Sequence, residues 1–214
     1  MSAPQPARDP RGAMPLPTGN LYDKYGSANP IVRGLMAGFE RALRELLRLA
    51  APRSVLDVGC GEGVLTDRIA RLPGVRRVVG VDLADPTLAA QWAARRRPGG
   101  PRFCAMRAEH LEFGEREFEL VAAIEVLEHL PNPELALAEM ARVASDWLLL
   151  STPREPLWRA LNVLRGAYVG TLGNTPGHLN HFSRRSLRAL ASRHGEVVAV
   201  RSPPPWTMLL ARVR

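Results

Sequence analysis

Lysine is almost missing from this chain: Lys24 stands alone, and the other basic residues among the 29 are arginines. The scarcity weakens what a formal charge of +8 would otherwise suggest. An arginine-only excess reflects the codon bias of a GC-rich genome as readily as selection for phosphate contacts. The arginines also recur singly on the polar sides of amphipathic stretches, where a solvated surface explains them. Nucleic acid is therefore not the expected partner. Cysteine is equally sparse: Cys60 and Cys104 are the only two, without metal-ligand spacing. That excludes zinc-finger and disulfide-knotted scaffolds and predicts reduced thiols. No run approaches the roughly 18 apolar residues of a membrane span, and the N-terminus lacks the apolar segment of a secretory signal. A cytoplasmic protein with no membrane span is expected.

What is present suits one globular domain, since 214 residues with 46% hydrophobic and 23% charged side chains can bury a substantial core. Residues 1–20 are proline-rich and aperiodic, which predicts a flexible arm ahead of a single domain over 21–214. Leu35, Met36, Phe39, Leu43, Leu46 and Leu47 recur at helical spacing opposite Arg33, Glu40, Arg44 and Arg48, predicting an amphipathic helix that Pro52 ends. Apolar runs then alternate with helical patterns, placing strands at 54–58, 75–81, 102–106, 118–124 and 147–151 and helices at 63–72, 87–97 and 134–144. This rhythm predicts a parallel sheet with helices on both faces. After Pro153 a helix at 157–168 and a loop rich in Gly and Asn read as an insertion, at about 154–182, lying over the edge of the sheet. A helix at 186–194 and strands at 197–201 and 206–213 follow, the strands joined by Pro203-Pro204-Pro205 and hence antiparallel. The expected fold class is α/β: a doubly wound, Rossmann-like, seven-stranded sheet, mostly parallel, with an antiparallel C-terminal hairpin.

The first strand runs into Leu56-Asp57-Val58-Gly59-Cys60-Gly61-Glu62-Gly63 and then directly into a helix. A glycine cluster between strand and helix permits a sharp turn and a close ligand approach. Its Gly-x-Gly-x-Gly spacing is neither that of a phosphate loop nor that of a dinucleotide fingerprint. Asp57 beside the turn would repel a pyrophosphate but suits a ligand carrying an ammonium group. The second strand, Val78-Val79-Gly80-Val81-Asp82, ends in a carboxylate about 20 positions after the glycines, where both hydroxyls of a ribose can be bound.

With these segments and Phe118-Glu119-Leu120-Val121-Ala122-Ala123-Ile124-Glu125-Val126-Leu127-Glu128-His129-Leu130, the chain resembles the class I S-adenosylmethionine-dependent methyltransferases over about 54–212. The resemblance implies a seven-stranded sheet with a final antiparallel hairpin, and S-adenosylmethionine as cofactor. It also implies that Gly59, Gly61 and Gly63 lie against the methionyl and ribose parts, Asp57 near the methionyl amine, Asp82 on the ribose hydroxyls and Leu83 beside the adenine. Where many relatives carry an acidic residue towards the adenine amino group, this chain has Arg107, leaving backbone groups of Ala108 and Glu109 to read the base. Glu125 falls in the loop that borders cofactor and acceptor. Cys60 reads as a small filler in the turn.

The segment from Glu125 to Pro131 resembles that of small-molecule methyltransferases, including the ubiquinone-biosynthesis O-methyltransferases. His129 is accordingly the first candidate for a general base and His181 the second. Glu125, Glu128, His129, His178 and His181 also form a candidate divalent-metal set, resembling that of small-RNA 3′-end methyltransferases. Many relatives carry the same residues without metal, and the metal-free reading is preferred. Acceptor determinants are expected in the segment Tyr22-Asp23-Lys24-Tyr25-Gly26 with the helix after it, and in Trp158, Asn162, Tyr168 and Asn174. The expected activity is SN2 methyl transfer to an oxygen or nitrogen of a small-molecule acceptor. An RNA methyltransferase, or a cofactor-fold binding protein without transferase activity, is the alternative. Oligomeric state is left open.

Overall fold

The computed structural model describes residues 29–164 and 169–214. The expected arm over 1–20, the segment from Tyr22 to Gly26, and Tyr168 lie outside them. The elements run α1 (Pro30–Ala50), β1 (Ser54–Val58), α2 (Val64–Ile69), β2 (Arg77–Asp82), α3 (Pro86–Ala94), β3 (Arg102–Ala105), β4 (Phe118–Ile124), α4 (Pro133–Val143), β5 (Ala144–Pro153), α5 (Leu157–Leu164), α6 (Arg184–Ala191), β6 (Gly195–Arg201) and β7 (Trp206–Val213). Short 3₁₀ turns lie at Leu127–His129 and Val169–Thr171.

Three helices begin by one device: Asn29, Asp85 and Asn132 accept hydrogen bonds from backbone N–H groups of the first turn, and a proline follows each where no N–H is needed. α6 begins with a Ser183–Ser186 capping box, two residues before the periodicity placed it.

The strand order is β3-β2-β1-β4-β5-β7-β6. The first five strands pair in parallel, and β7 runs antiparallel to both β5 and β6. The hairpin is therefore inserted rather than appended: β7, nearly all buried, takes the inner position and half-exposed β6 the edge. β5 is longer at both ends than its apolar run, because Thr152 and Pro153 continue the register against Thr207 and Trp206.

Side chains alternate across the sheet. Leu56, Val58, Val121, Ala123, Leu148 and Leu150 pack with Leu137 and Met140 of α4 and Leu187 of α6. Val55, Leu120, Ala122, Leu149 and Leu210 pack with Phe39, Leu43 and Leu46 of α1 and Ile69 of α2. This is the period-two pattern of a sheet covered on both faces. Parallel strands entering from one end leave their carboxyl ends, with Asp57, Asp82 and Glu125, along one rim, where open α/β sheets bind ligands. Among the described residues no helix is long and apolar enough to cross a membrane.

Candidate active site

A cavity of about 880 Å³ opens along this rim. Its lining includes Asp57, Gly59, Gly61, Asp82, Leu83 and Met106 to Glu109, together with residues of α1 and Trp158, Leu161, Asn162, Thr175, His178 and Trp206. Glu125, Val126, Glu128 and His129 lie on the wall of the same cavity. Its volume is near the upper end for small-molecule sites, which run to roughly 1,000 Å³.

The glycine turn is fastened to β2. Gly59 and Cys60 donate their N–H groups to the Val81 carbonyl at 2.8 and 3.0 Å. The Gly61 N–H donates to Asp82 Oδ2 at 2.7 Å and the Leu83 N–H to Asp82 Oδ1 at 2.8 Å. Burial raises the Asp82 pKa, and these two hydrogen bonds oppose the rise. Asp82→Ala removes the acceptor that two backbone donors share. The expected result is a loss of roughly 1–3 kcal/mol in S-adenosylhomocysteine affinity by calorimetry; equal affinities would take Asp82 out of the site.

Asp57 is 2% exposed, and its Oδ2 accepts a hydrogen bond from the Thr66 hydroxyl at 2.7 Å. Burial pushes its pKa up to about 7 against that hydrogen bond, with Asp82 adding repulsion. A cation placed here would meet a carboxylate ready to ionise. Cys60 is the expected filler, packed with Leu88, Trp92 and Phe103, and burial pushes its thiol pKa up.

Gly63 requires a correction. It does not line the cavity: it caps α2 at φ +77°, and a Cβ there would stand 2.5 Å from Phe103 Cε1. Packing against β3 therefore demands this glycine. At Gly59, with φ +71°, a Cβ would meet Val126 Cγ2 at 2.4 Å, so the loop after β4 imposes that constraint.

His129 Nδ1 lies 2.9 Å from the Gly177 carbonyl. A carbonyl only accepts, so in the neutral ring Nδ1 carries the proton and Nε2 holds the basic lone pair. The contact exists because Asn180 clamps the second segment onto the first: its Nδ2 donates to the carbonyls of Leu130 at 2.7 Å and Leu127 at 3.2 Å. The N–H groups of Leu179 and Asn180 both reach the Glu128 carbonyl. The same clamp sets His178 against His129, ring centroids 4.9 Å apart.

Of the five metal candidates, the structure brings together Glu128, His129 and His178, whose potential ligand atoms lie within 4.8 Å of one another. Glu125 and His181 are corrections. The Glu125 carboxylate is held elsewhere, Oε1 accepting from Ser151 Oγ at 3.0 Å and Oε2 from Trp206 Nε1 at 2.7 Å, on a backbone at φ +61°. His181 lies outside the cavity lining, its Nδ1 3.8 Å from Glu155 Oε1, which also removes it as the second base.

Sequence reasoning passed over several residues of this site. Trp92 donates from Nε1 to the Gly61 carbonyl at 2.8 Å and stacks on Phe103, bracing the glycine turn from α3. Trp206 belongs to a run of rings, Phe39, Trp206, Trp158 and His178, with neighbouring centroids 5.0 to 6.2 Å apart. Only the aromatic at a strand start beside Pro205 hinted at it.

Residues 56–146 match the family model described as methyltransferase domain. The chain is similar to ubiquinone biosynthesis O-methyltransferases. That of Paracidovorax citrulli is 35% identical over 138 residues, 62% of this chain and 56% of the relative. That of Hahella chejuensis is 37% identical over 128 residues, 57% and 53% respectively. The chain spans about half the length of the curated relatives it matches. Among solved structures, magnesium protoporphyrin IX methyltransferase from Synechocystis PCC 6803 with bound SAH shares the fold at TM-score 0.62 and 20% identity, over 88% of this chain and 90% of that one.

Proposed function

We propose that this protein transfers a methyl group from S-adenosylmethionine to a hydroxyl oxygen of a small, largely apolar acceptor. One observation carries the reading: a single cavity is lined by the carboxylates of Asp57 and Asp82 with a glycine turn, by the rings of Phe39, Trp158 and Trp206, and by an oriented imidazole. The carboxylates fit the cofactor, Asp57 facing its ammonium group and Asp82 its ribose hydroxyls; when bound, S-adenosylmethionine supplies an electrophilic methyl carbon. Leu83 and the backbone of Ala108 and Glu109 flank the adenine. The apolar part of the lining, with Trp158 and Leu161 of α5, excludes water and holds the acceptor in line with the methyl carbon, the effect that contributes most of the rate. His129 Nε2 takes the hydroxyl proton as the oxygen attacks. The names of the curated relatives favour oxygen over nitrogen. The free thiols Cys60 and Cys104 are in keeping with a reducing, cytoplasmic setting.

The test is calorimetric titration with S-adenosylhomocysteine, followed by transfer of a labelled methyl group to a panel of apolar phenols. Micromolar binding and a labelled ether product are expected; no binding would overturn the reading.

The cluster of Glu128, His129 and His178 supports a second reading, in which a divalent cation sits beside the acceptor. One carboxylate and two imidazoles suit such an ion, and the Gly177 carbonyl on His129 Nδ1 is the outer contact that metal-bound histidines have. A cation held there would acidify the acceptor hydroxyl. Turnover is expected to survive complete chelation. Its loss, with recovery on adding Mg²⁺, Mn²⁺ or Zn²⁺, would make His129 a ligand instead of the base.

A further inference from the structure

Thr175 lines the cavity beside Trp158, Asn162 and His178. Its Oγ1 accepts two hydrogen bonds, from Trp158 Nε1 at 2.9 Å and from Asn162 Nδ2 at 3.2 Å. Asn162 is 3% exposed and held in place by its second donation, to the Gly173 carbonyl at 2.8 Å. Gly173 is itself pressed against α5, where a Cβ would stand 2.2 Å from the Arg159 carbonyl oxygen. The arrangement is thus braced from behind.

A hydroxyl has two lone pairs and one proton. Both lone pairs of Thr175 are engaged by N–H groups, and neither an indole N–H nor an amide NH₂ can accept a hydrogen bond in return. The capacity that Thr175 has left is to donate, and it borders the cavity. Among the described residues the Thr175 hydroxyl donates no hydrogen bond.

Resting on the proposed methyl transfer, we infer that Thr175 is a specificity-determining residue: it donates a hydrogen bond to a second oxygen of the acceptor, a carbonyl or ether oxygen set on the aromatic body that carries the methylated hydroxyl. The same Trp158 whose ring lines the wall fixes the threonine, so the ring plane and the oxygen are read by one rigid unit. An acceptor without that oxygen would displace water from the hydroxyl and return nothing, the situation in which a polar pocket discriminates most strongly.

The experiment saturates the protein with S-adenosylhomocysteine and measures, by ligand-observed NMR, the affinities of para-hydroxyacetophenone and para-isopropylphenol, which differ chiefly by a ketone oxygen. The comparison is repeated in Thr175→Val and in Thr175→Cys, the latter as a second variant that retains a weak donor and the side-chain volume. The affinity ratio of ketone to hydrocarbon is expected to fall by about tenfold from wild type to Thr175→Val, and by less in Thr175→Cys. A ratio unchanged in both variants, or failure of both phenols to bind the loaded protein, would overturn the assignment. Failure of S-adenosylhomocysteine to bind at the outset would instead overturn the methyl-transfer reading on which it rests.

Discussion

His129→Asn is expected to lower methyl-transfer turnover by about 10²–10⁴-fold while leaving S-adenosylhomocysteine affinity nearly unchanged. The asymmetry follows from where the side chain sits. His129 lies in the turn after β4, whereas the carboxylates and the glycine turn stand at the ends of β1 and β2. Its Nδ1 is committed to the Gly177 carbonyl, so the only basic atom it can offer is Nε2. Asparagine keeps an amide able to satisfy Gly177, but has no nitrogen lone pair basic enough to take a proton. The loss therefore belongs in kcat and not in cofactor binding. Wild-type turnover in His129→Asn would make the histidine structural; His181 could not then be the substitute, because it faces Glu155 outside the cavity.

Cofactor affinity should also depend on pH in a way set by Asp57. Its carboxyl, held near 7 by burial, is protonated at pH 5 and must ionise to face an ammonium group. S-adenosylhomocysteine binding is expected to tighten by up to about tenfold per unit as pH rises from 5 to 7, and to level off above. The ligand-free fold should respond in the opposite sense. The unfolded chain releases this proton near 3.8 and the folded one near 7, so the folded state binds more protons between those values. Stability then declines with rising pH through that window, by up to about 1.4 kcal/mol per unit. Asp82, whose pKa burial also raises, acts in the same direction. Asp57→Asn separates the two: it should flatten most of both dependences, measured by calorimetry and by thermal melts at stepped pH. A wild-type affinity independent of pH from 5 to 7 would remove Asp57 from the ammonium site.

The parts of this molecule that could be read from sequence are those governed by neighbours along the chain. A strand, a glycine turn and a helix occur in succession, and Asp82 ends the next strand, so turn and carboxylate were both legible. Gly63 was placed correctly but given the wrong reason, because its constraint comes from Phe103, 40 positions further on and adjacent only once β3 has joined the sheet. His178 and His181 could not be ranked by spacing; Asn180, between them, decides by binding the loop after β4. Glu125 looked like a metal ligand until β5 and β7 supplied Ser151 and Trp206 to hold its carboxylate. In each case the missing information was a partner distant along the chain.

Inserting β7 between β5 and β6 also fixes when during synthesis the site can exist. β5 has its outer neighbour, and Glu125 its indole partner, only after Trp206 to Val213 have been made and threaded into place. A ribosome-bound chain ending before Trp206 would leave β5 as an open edge and one side of the acceptor wall unbuilt, a state prone to pairing with other strands. The part of the cavity wall that Trp206 lines is thus completed only once β7 is in place.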